Sequence, residues 1–448
     1  MIVMHLARRA GPVALLALAL MVWTGAARAD IEVVTTPAGI VLWLEREPTI
    51  PMVSLNFAFR GGSSLDPAGR EGVANMVSGL LDEGAGDLDS QAFRDRLDEL
   101  SVKLGFDSGR DAFYGSLTTL TENLDAAFDL LAAAVNAPRF DLEPVERVRG
   151  QILIGIAYDQ EDPDSVAWGT WNETAFPDHA YGRAVAGTPE SVAAIATEDL
   201  RSYLGGAFAR DRLVIAAVGD IDADRLAVLV DKVFAGLPAT GAPLLSGDVE
   251  PHVGETVVVD MDVPQSSIVF GLPALKRDDP DFYALNLLNK ALGGGGLNTR
   301  LFEEVRNERG LAYSASTFSY ALDHAGLLLG SAGTQSARAG ETLDVIKAIL
   351  ADVALNGITL AELDDARAYL TGSFPLALDS NGKIARTLVA IQMDDLGLDY
   401  LDKRNGFYQA VTLDDVNRVA ARYLDPDNLL IVVTGRPEGV DSTTAAVD

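Results

Sequence analysis

No cysteine occurs in the 448 residues. Disulfides, thiolate metal sites and cysteine nucleophiles are thereby excluded together. Histidine is nearly as scarce. His5, His179, His252 and His324 stand alone in unrelated segments, and no two of them show a metal-ligand spacing. Basic residues are also few, 35 against 65 acidic ones, for a formal charge of −30. Nucleic acid and anionic membrane surfaces are poor partners for such a body, and solubility alone accounts for the charge. Long apolar runs are missing as well. Val13 to Val22 is the exception, and a bilayer span needs about 20 residues.

That short run follows Arg8 and Arg9 and precedes Ala27-Arg28-Ala29, the layout of a secretory signal cleaved before Asp30. Residues 1–29 are therefore expected to be a signal peptide, with an uncleaved anchor as the alternative. After cleavage no membrane partner is expected. Export without disulfides fits a periplasmic, or otherwise exported, soluble protein.

The rest of the chain repeats itself. Glu198-Asp199-Leu200 through Val214 to Gly219 matches Asp414-Asp415-Val416 through Leu430 to Gly435 without a gap. Phe57, Asp66 and Pro67 match Phe270, Asp279 and Pro280 in the same way. Two units of about 200 residues imply a domain duplication, since solenoid repeats are far shorter. The units are expected at 30–240 and 255–448, joined by a linker at 241–254 in a stretch rich in proline and glycine.

Val53 to Phe59 alternates as a strand, and Leu213 to Gly219 reads as a buried one. Helical spacing runs through Ser90 to Lys103, Asn123 to Ala134, Val145 to Tyr158, Asp222 to Phe234, Asp281 to Leu292, Glu341 to Ala354, Leu360 to Thr371 and Asp414 to Tyr423. The expected fold is α+β: two homologous domains, each with helices packed on one face of a largely antiparallel sheet.

Two segments carry the candidate chemistry. Gly72 to Gly84 reads GVANMVSGLLDEG, an amphipathic helix with Val73, Met76, Val77, Leu80 and Leu81 on its buried stripe. Its other face presents Asn75, Ser78, Gly79 and Asp82. The second segment, Gly293 to Ser314, reads GGGGLNTRLFEEVRNERGLAYS. No Gly-Lys-Ser/Thr follows its glycines and no Gly-x-Gly-x-x-Gly fits, so it is not a phosphate loop. No Gly-x-Ser-x-Gly elbow occurs either. By residue chemistry alone, Arg306 could pair with Glu303 or Glu304 and Tyr313 could pack in a core.

Together these segments resemble the insulinase, or mitochondrial-processing-peptidase, family of inverzincin metallopeptidases. The resemblance runs from about Ile31 to Arg436 and implies that each chain forms half of a clamshell chamber. The family motif H-x-x-E-H falls on Asn75, Ser78 and Gly79, and its third ligand, a glutamate, falls on Gly155. Asparagine is a weak zinc ligand, serine is no base and glycine has no side chain, so these four are degenerate metal-site positions. His179, in a loop like the family's F-P-x-H-P-Y-G, reads as structural, and Glu161-Asp162 as a helix-terminus feature. The family's substrate-stabilising arginine and tyrosine fall on Arg306 and Tyr313. Both can donate hydrogen bonds to a developing oxyanion or to a peptide carbonyl.

Gly294, Gly295, Asn298 and Arg300 become candidate substrate-binding positions in the loop, Arg300 being able also to fix the loop through a hydrogen bond. The edge strand on which the family takes up peptide corresponds to Leu104 to Tyr114, which departs from the usual lead-in. The resemblance thus implies no cofactor in this chain. It implies zinc in a partner subunit that carries H-x-x-E-H, and an unfolded peptide as substrate. The rivals are a non-enzymatic scaffold or peptide-binding subunit, and an independent peptidase with another metal site.

Overall fold

The computed structural model describes residues 31–443. The signal-peptide reading of 1–29 lies outside them. The first unit contains β1 (Ile31–Thr35), β2 (Val41–Arg46), β3 (Met52–Arg60), β4 (Lys103–Ser108), β5 (Ala112–Leu120) and β6 (Leu213–Gly219). Its helices are α1 (Val73–Ser78), α2 (Ser90–Glu99), α3 (Leu124–Asn136), α4 (Leu142–Glu161), α5 (Pro163–Ala175), α6 (Pro189–Ala194), α7 (Thr197–Ala207) and α8 (Ala223–Phe234). The second unit has β7 (Thr256–Val259), β8 (Gln265–Pro273), β9 (Ala312–Ala321), β10 (Gly326–Gln335) and β11 (Leu430–Thr434). Its helices are α9 (Phe282–Leu292), α10 (Ala339–Asn356), α11 (Leu360–Gly372), α12 (Asn381–Met393), α13 (Tyr400–Ala410) and α14 (Leu413–Tyr423).

The strand order is β1-β2-β6-β3-β5-β4 in the first sheet and β7-β11-β8-β10-β9 in the second. All pairs are antiparallel except β2–β6 and β7–β11. The duplication extends to single side chains. Phe57 of β3 faces Gly115 of β5, and Phe270 of β8 faces Gly330 of β10. In each case a Cβ on the glycine would meet the phenyl ring within 2.2 Å. The missing side chain makes room for the ring.

Each unit buries its own helices on one sheet face, forming two separate cores. The opposite faces are covered by exchange. Ala385, Leu388, Val389 and Ile391 of α12 pack on Ala58, Ala216 and Val218 of the first sheet. Trp171 of α5 packs on Val269, Leu430 and Val432 of the second, and its indole N–H donates to the Leu430 carbonyl at 3.2 Å. Gly271 allows this, because a Cβ there would lie 2.5 Å from the indole.

Val53 to Phe59 forms the expected strand, but the exchange gives it two covered faces. Every residue of that stretch is buried, because α12 covers the face that alternation would leave to solvent. Two helices also end early. Ser90 to Lys103 is helical only to Glu99, since Ser101 turns to positive φ and β4 begins at Lys103. The Gly72 to Gly84 helix stops at Ser78, capped by Gly79; Leu80 and Leu81 stay buried but sit in turns. Among the described residues, no helix is long and apolar enough to cross a membrane.

Candidate functional site

The start of α1 is built by Asp66, whose carboxylate accepts the Gly72 N–H at 2.8 Å and the Ala74 N–H at 3.0 Å. Gly72 takes φ 94°, a conformation that favours glycine. Burial drives the Asp66 carboxyl up to about 7, against the opposing pull of those two N–H groups. Val73, Met76 and Val77 lock the helix into the core. That leaves Asn75, Ser78 and Gly79 facing a depression of about 320 Å³ walled by Phe106 of β4 and by Val148 and Gln151 of α4.

The polar capacity of this face is small. The Ser78 hydroxyl donates back to the Asn75 carbonyl at 2.8 Å. A Cβ on Gly79 would stand 3.2 Å from Val148 Cγ1, so any side chain there would press on Val148. Gly155 is exposed on α4, outside the depression, with open space where a side chain would start. Among the described residues, no group of three or more His, Asp or Glu is placed to hold a metal ion. The donor set does not fit zinc, and no step can be routed through a metal on this face. The nearby Glu83 is already engaged, by Ser90, Arg94 and Arg147. Burial pushes its carboxyl up, but these hydrogen bonds outweigh that and hold it low.

His179 accepts the Tyr181 N–H on Nδ1 at 3.2 Å. The Tyr181 hydroxyl in turn donates to Asp111 at 2.7 Å and accepts the His324 N–H, which ties the two units together. Asp162 caps α5 by accepting the Ser165 N–H at 2.9 Å. Both residues are structural.

On the second unit, α9 runs into Gly293 to Gly296, a π-helical turn spans Phe302–Glu308, and β9 follows. Arg306 lies on the turn and Tyr313 opens the strand. The guanidinium sits 4.7 Å from the ring centroids of both Phe302 and Tyr313. It makes no ion pair or hydrogen bond with any described residue, for Glu304 is taken by Arg309 instead. Tyr313 is 81% exposed, which removes the core-packing alternative, and its hydroxyl makes no hydrogen bond among the described residues. An unpaired cation and a free phenol thus stand side by side on an exposed surface. Phe302 escaped the sequence reading, although its place four residues before Arg306 puts the two on one helical face.

The loop is held at both ends. Gly293 accepts the Thr317 N–H of β9 at 2.9 Å. Arg300 reaches both oxygens of Glu362, at 2.5 and 2.9 Å, together with Asp352 and the Gly357 carbonyl. These contacts engage the Arg300 donors and favour its reading as the residue that fixes the loop over a direct hold on substrate. Burial raises the Glu362 carboxyl, yet the Arg300 and Thr359 hydrogen bonds outweigh it and bring the pKa to about 2. Gly295 and Asn298 line a cavity of about 330 Å³ with Lys290 and Tyr369. Lys290, missed by the sequence reading, is 9% exposed; its ammonium donates to the Gly294 and Gly295 carbonyls and lies over the Tyr369 ring. Its only sequence signal is a lone charge inside the buried stripe of α9. The α1 depression and this loop cavity are separate, each lined by one unit alone.

Comparison with known proteins identifies the scaffold. Residues 41–189 match the insulinase (peptidase family M16) model, and 194–370 match the peptidase M16 inactive-domain model. An uncharacterized zinc protease of Mycobacterium leprae is 30% identical, with 79% of this chain and 80% of that protein aligned. The chain belongs to the insulinase family, M16. Another M16 relative, the non-peptidase homolog YmxG of Helicobacter pylori, is 29% identical over 74% of this chain and 77% of its own. The crystal structure of a peptidase M16 inactive domain from Pseudomonas fluorescens superposes with TM-score 0.85 at 29% identity, covering 94% of this chain and 99% of that one.

Proposed function

We propose that this M16 chain is the metal-free subunit of an exported, heterodimeric insulinase-type peptidase. A homologous partner carrying H-x-x-E-H would hold zinc, which supplies the activated water. This chain would close the chamber, bind the unfolded peptide and bring Arg306 and Tyr313 to the reacting carbonyl.

One observation carries the reading: Arg306 has no anionic partner among the described residues and is held by two rings, one of them an exposed phenol. A stacked guanidinium keeps its fork of donors directed at whatever approaches. Such a pair can hydrogen-bond a peptide carbonyl and, more strongly, the oxyanion that forms on attack. The degenerate face on α1 supports the same division of labour, as do the match to an inactive-domain model and the relative named a non-peptidase homolog. That name also fits the rival reading, a scaffold without peptide affinity.

Mixing the purified chain with a ligand-bearing homologue and following cleavage of a quenched peptide tests the proposal. Addition should raise the rate, and Arg306→Ala should lower kcat/KM of the mixture about 10²- to 10³-fold. A rate indifferent to the added chain would leave only the scaffold.

A further inference from the structure

The two units meet at a clamp built around the buried Tyr181. Its hydroxyl donates to Asp111 Oδ1, on the turn between β4 and β5, and accepts the His324 N–H at 3.2 Å. Asp111 Oδ2 accepts the neighbouring Asp323 N–H at 3.1 Å. Asp323 and His324 lie on the turn between β9 and β10, so the clamp joins one hairpin of each unit. Tyr181 owes its place to the short 3-10 turn Ala180–Gly182, and His179 caps that turn through Nδ1, which accepts the Tyr181 N–H. Caps of this kind usually come from side-chain oxygens, which keep their lone pairs near neutral pH. An imidazole nitrogen accepts only while it carries no proton.

We infer that His179 is the acid-sensitive catch of this clamp. Protonation turns Nδ1 from acceptor to donor, so that it meets the Tyr181 N–H donor to donor. The turn then loses its cap, the Tyr181 hydroxyl loses its fixed position, and the hold on Asp111 and on residues 323–324 slackens. The imidazole lies edge-on to the Tyr181 ring, with centroids 4.6 Å apart. The charged and titratable groups facing it are Arg183 on its own loop, His324 from the β9–β10 turn and Asp111 from the β4–β5 turn. Burial, with His324 and Arg183, holds the ring below the usual histidine range, against the pull of Asp111. The folded state therefore binds this proton less tightly than the unfolded one does. The clamp is fully made above about pH 6.5 and weakens as pH falls below it. These contacts all lie within one chain, and they involve neither Arg306 nor a zinc-bearing partner.

Amide hydrogen exchange of the full chain, expressed as protection factors at pH 7.5 and pH 5, tests the inference. Protection of the segments holding Tyr181 and His324 should fall at least about fivefold at the lower pH, as the loss of a cap implies. Helix α8, which takes no part in the clamp, should keep its own. His179→Asn offers an oxygen to the same N–H and cannot take up the proton, so its protection should be high at both pH values. His324→Gln should still respond to acid, because the clamp uses the backbone N–H of that residue and not its ring. In the natural chain the nitrogen-15 shift of His179 Nδ1 should titrate with the midpoint of the protection loss, a check that needs no variant. Equal protection at both pH values, an undiminished response in His179→Asn, a response lost in His324→Gln, or mismatched midpoints would overturn it.

Discussion

The α1 face of the first unit and the Arg306–Tyr313 face of the second differ in what their polar groups do. On α1, Ser78 is turned back on its own helix, Gly79 is bare and Val148 stands beside it. On the second unit, Arg306 and Tyr313 keep their donors unpaired, at the cost of a cation held on aromatic rings alone. The contrast shows that a site can be lost without loss of its scaffold. The cap from Asp66 and the packing of Val73, Met76 and Val77 form α1 whether or not ligands stand on its outer face. A surface that had drifted without use would be expected to acquire a partner for Arg306, in a chain this rich in carboxylates.

The largest effect tests whether the two faces belong to one rigid body. Trp171→Ala removes the indole that fastens α5 to the second sheet, and should cost about 3–5 kcal/mol in urea denaturation. A cost near zero would mean that the units are independent.

Next comes the blank face itself. Gly79→His forces a side chain against Val148 and should destabilise by about 1–3 kcal/mol, with Val148→Ala restoring most of the loss. Elemental analysis of an Asn75→His, Ser78→Glu, Gly79→His, Gly155→Glu chain should find zinc well below one equivalent while Val148 remains. Stoichiometric zinc would show that ligand identity alone separates the two faces.

A smaller effect lies in pH. The folded pKa of Asp66 is raised to about 7, so the folded state binds this proton more tightly than the unfolded state does. Stability from this group is fully present below about pH 4, falls as pH rises to about 7, and levels off above. The slope is at most about 1.4 kcal/mol per pH unit. Asp66→Asn should remove it in denaturation curves recorded across that range.

The smallest change sharpens the contrast most. Arg306→Ala should move stability by no more than about 0.5 kcal/mol, because the side chain has no fixed polar partner. Arg300→Ala, which breaks the pair with Glu362, should cost clearly more. Similar costs for the two would place Arg306 among the structural arginines.

Much of this was legible in the chain. Period and punctuation located most of the helices, the matched segments revealed the duplication, and the family motif picked out Asn75, Ser78, Gly79, Arg306 and Tyr313. The misses share a cause. Helices α5 and α12 have weak amphipathic patterns because they pack on foreign sheets, and their targets lie hundreds of residues away in sequence. Lys290 looks like an ordinary surface charge until its surroundings are known.

Sequence by itself determined the kinds of side chain available: no thiol, no histidine pair, a lone Arg and Tyr on a glycine-led turn. That is chemistry, and it is set residue by residue. Only tertiary structure decided which of those groups stand free and which are tied down. Arg300 and Arg306 are six positions apart on one segment, yet one is clamped by Glu362 and the other is not. Partnership depends on what the fold brings within about 3 Å, a distance that no local pattern encodes.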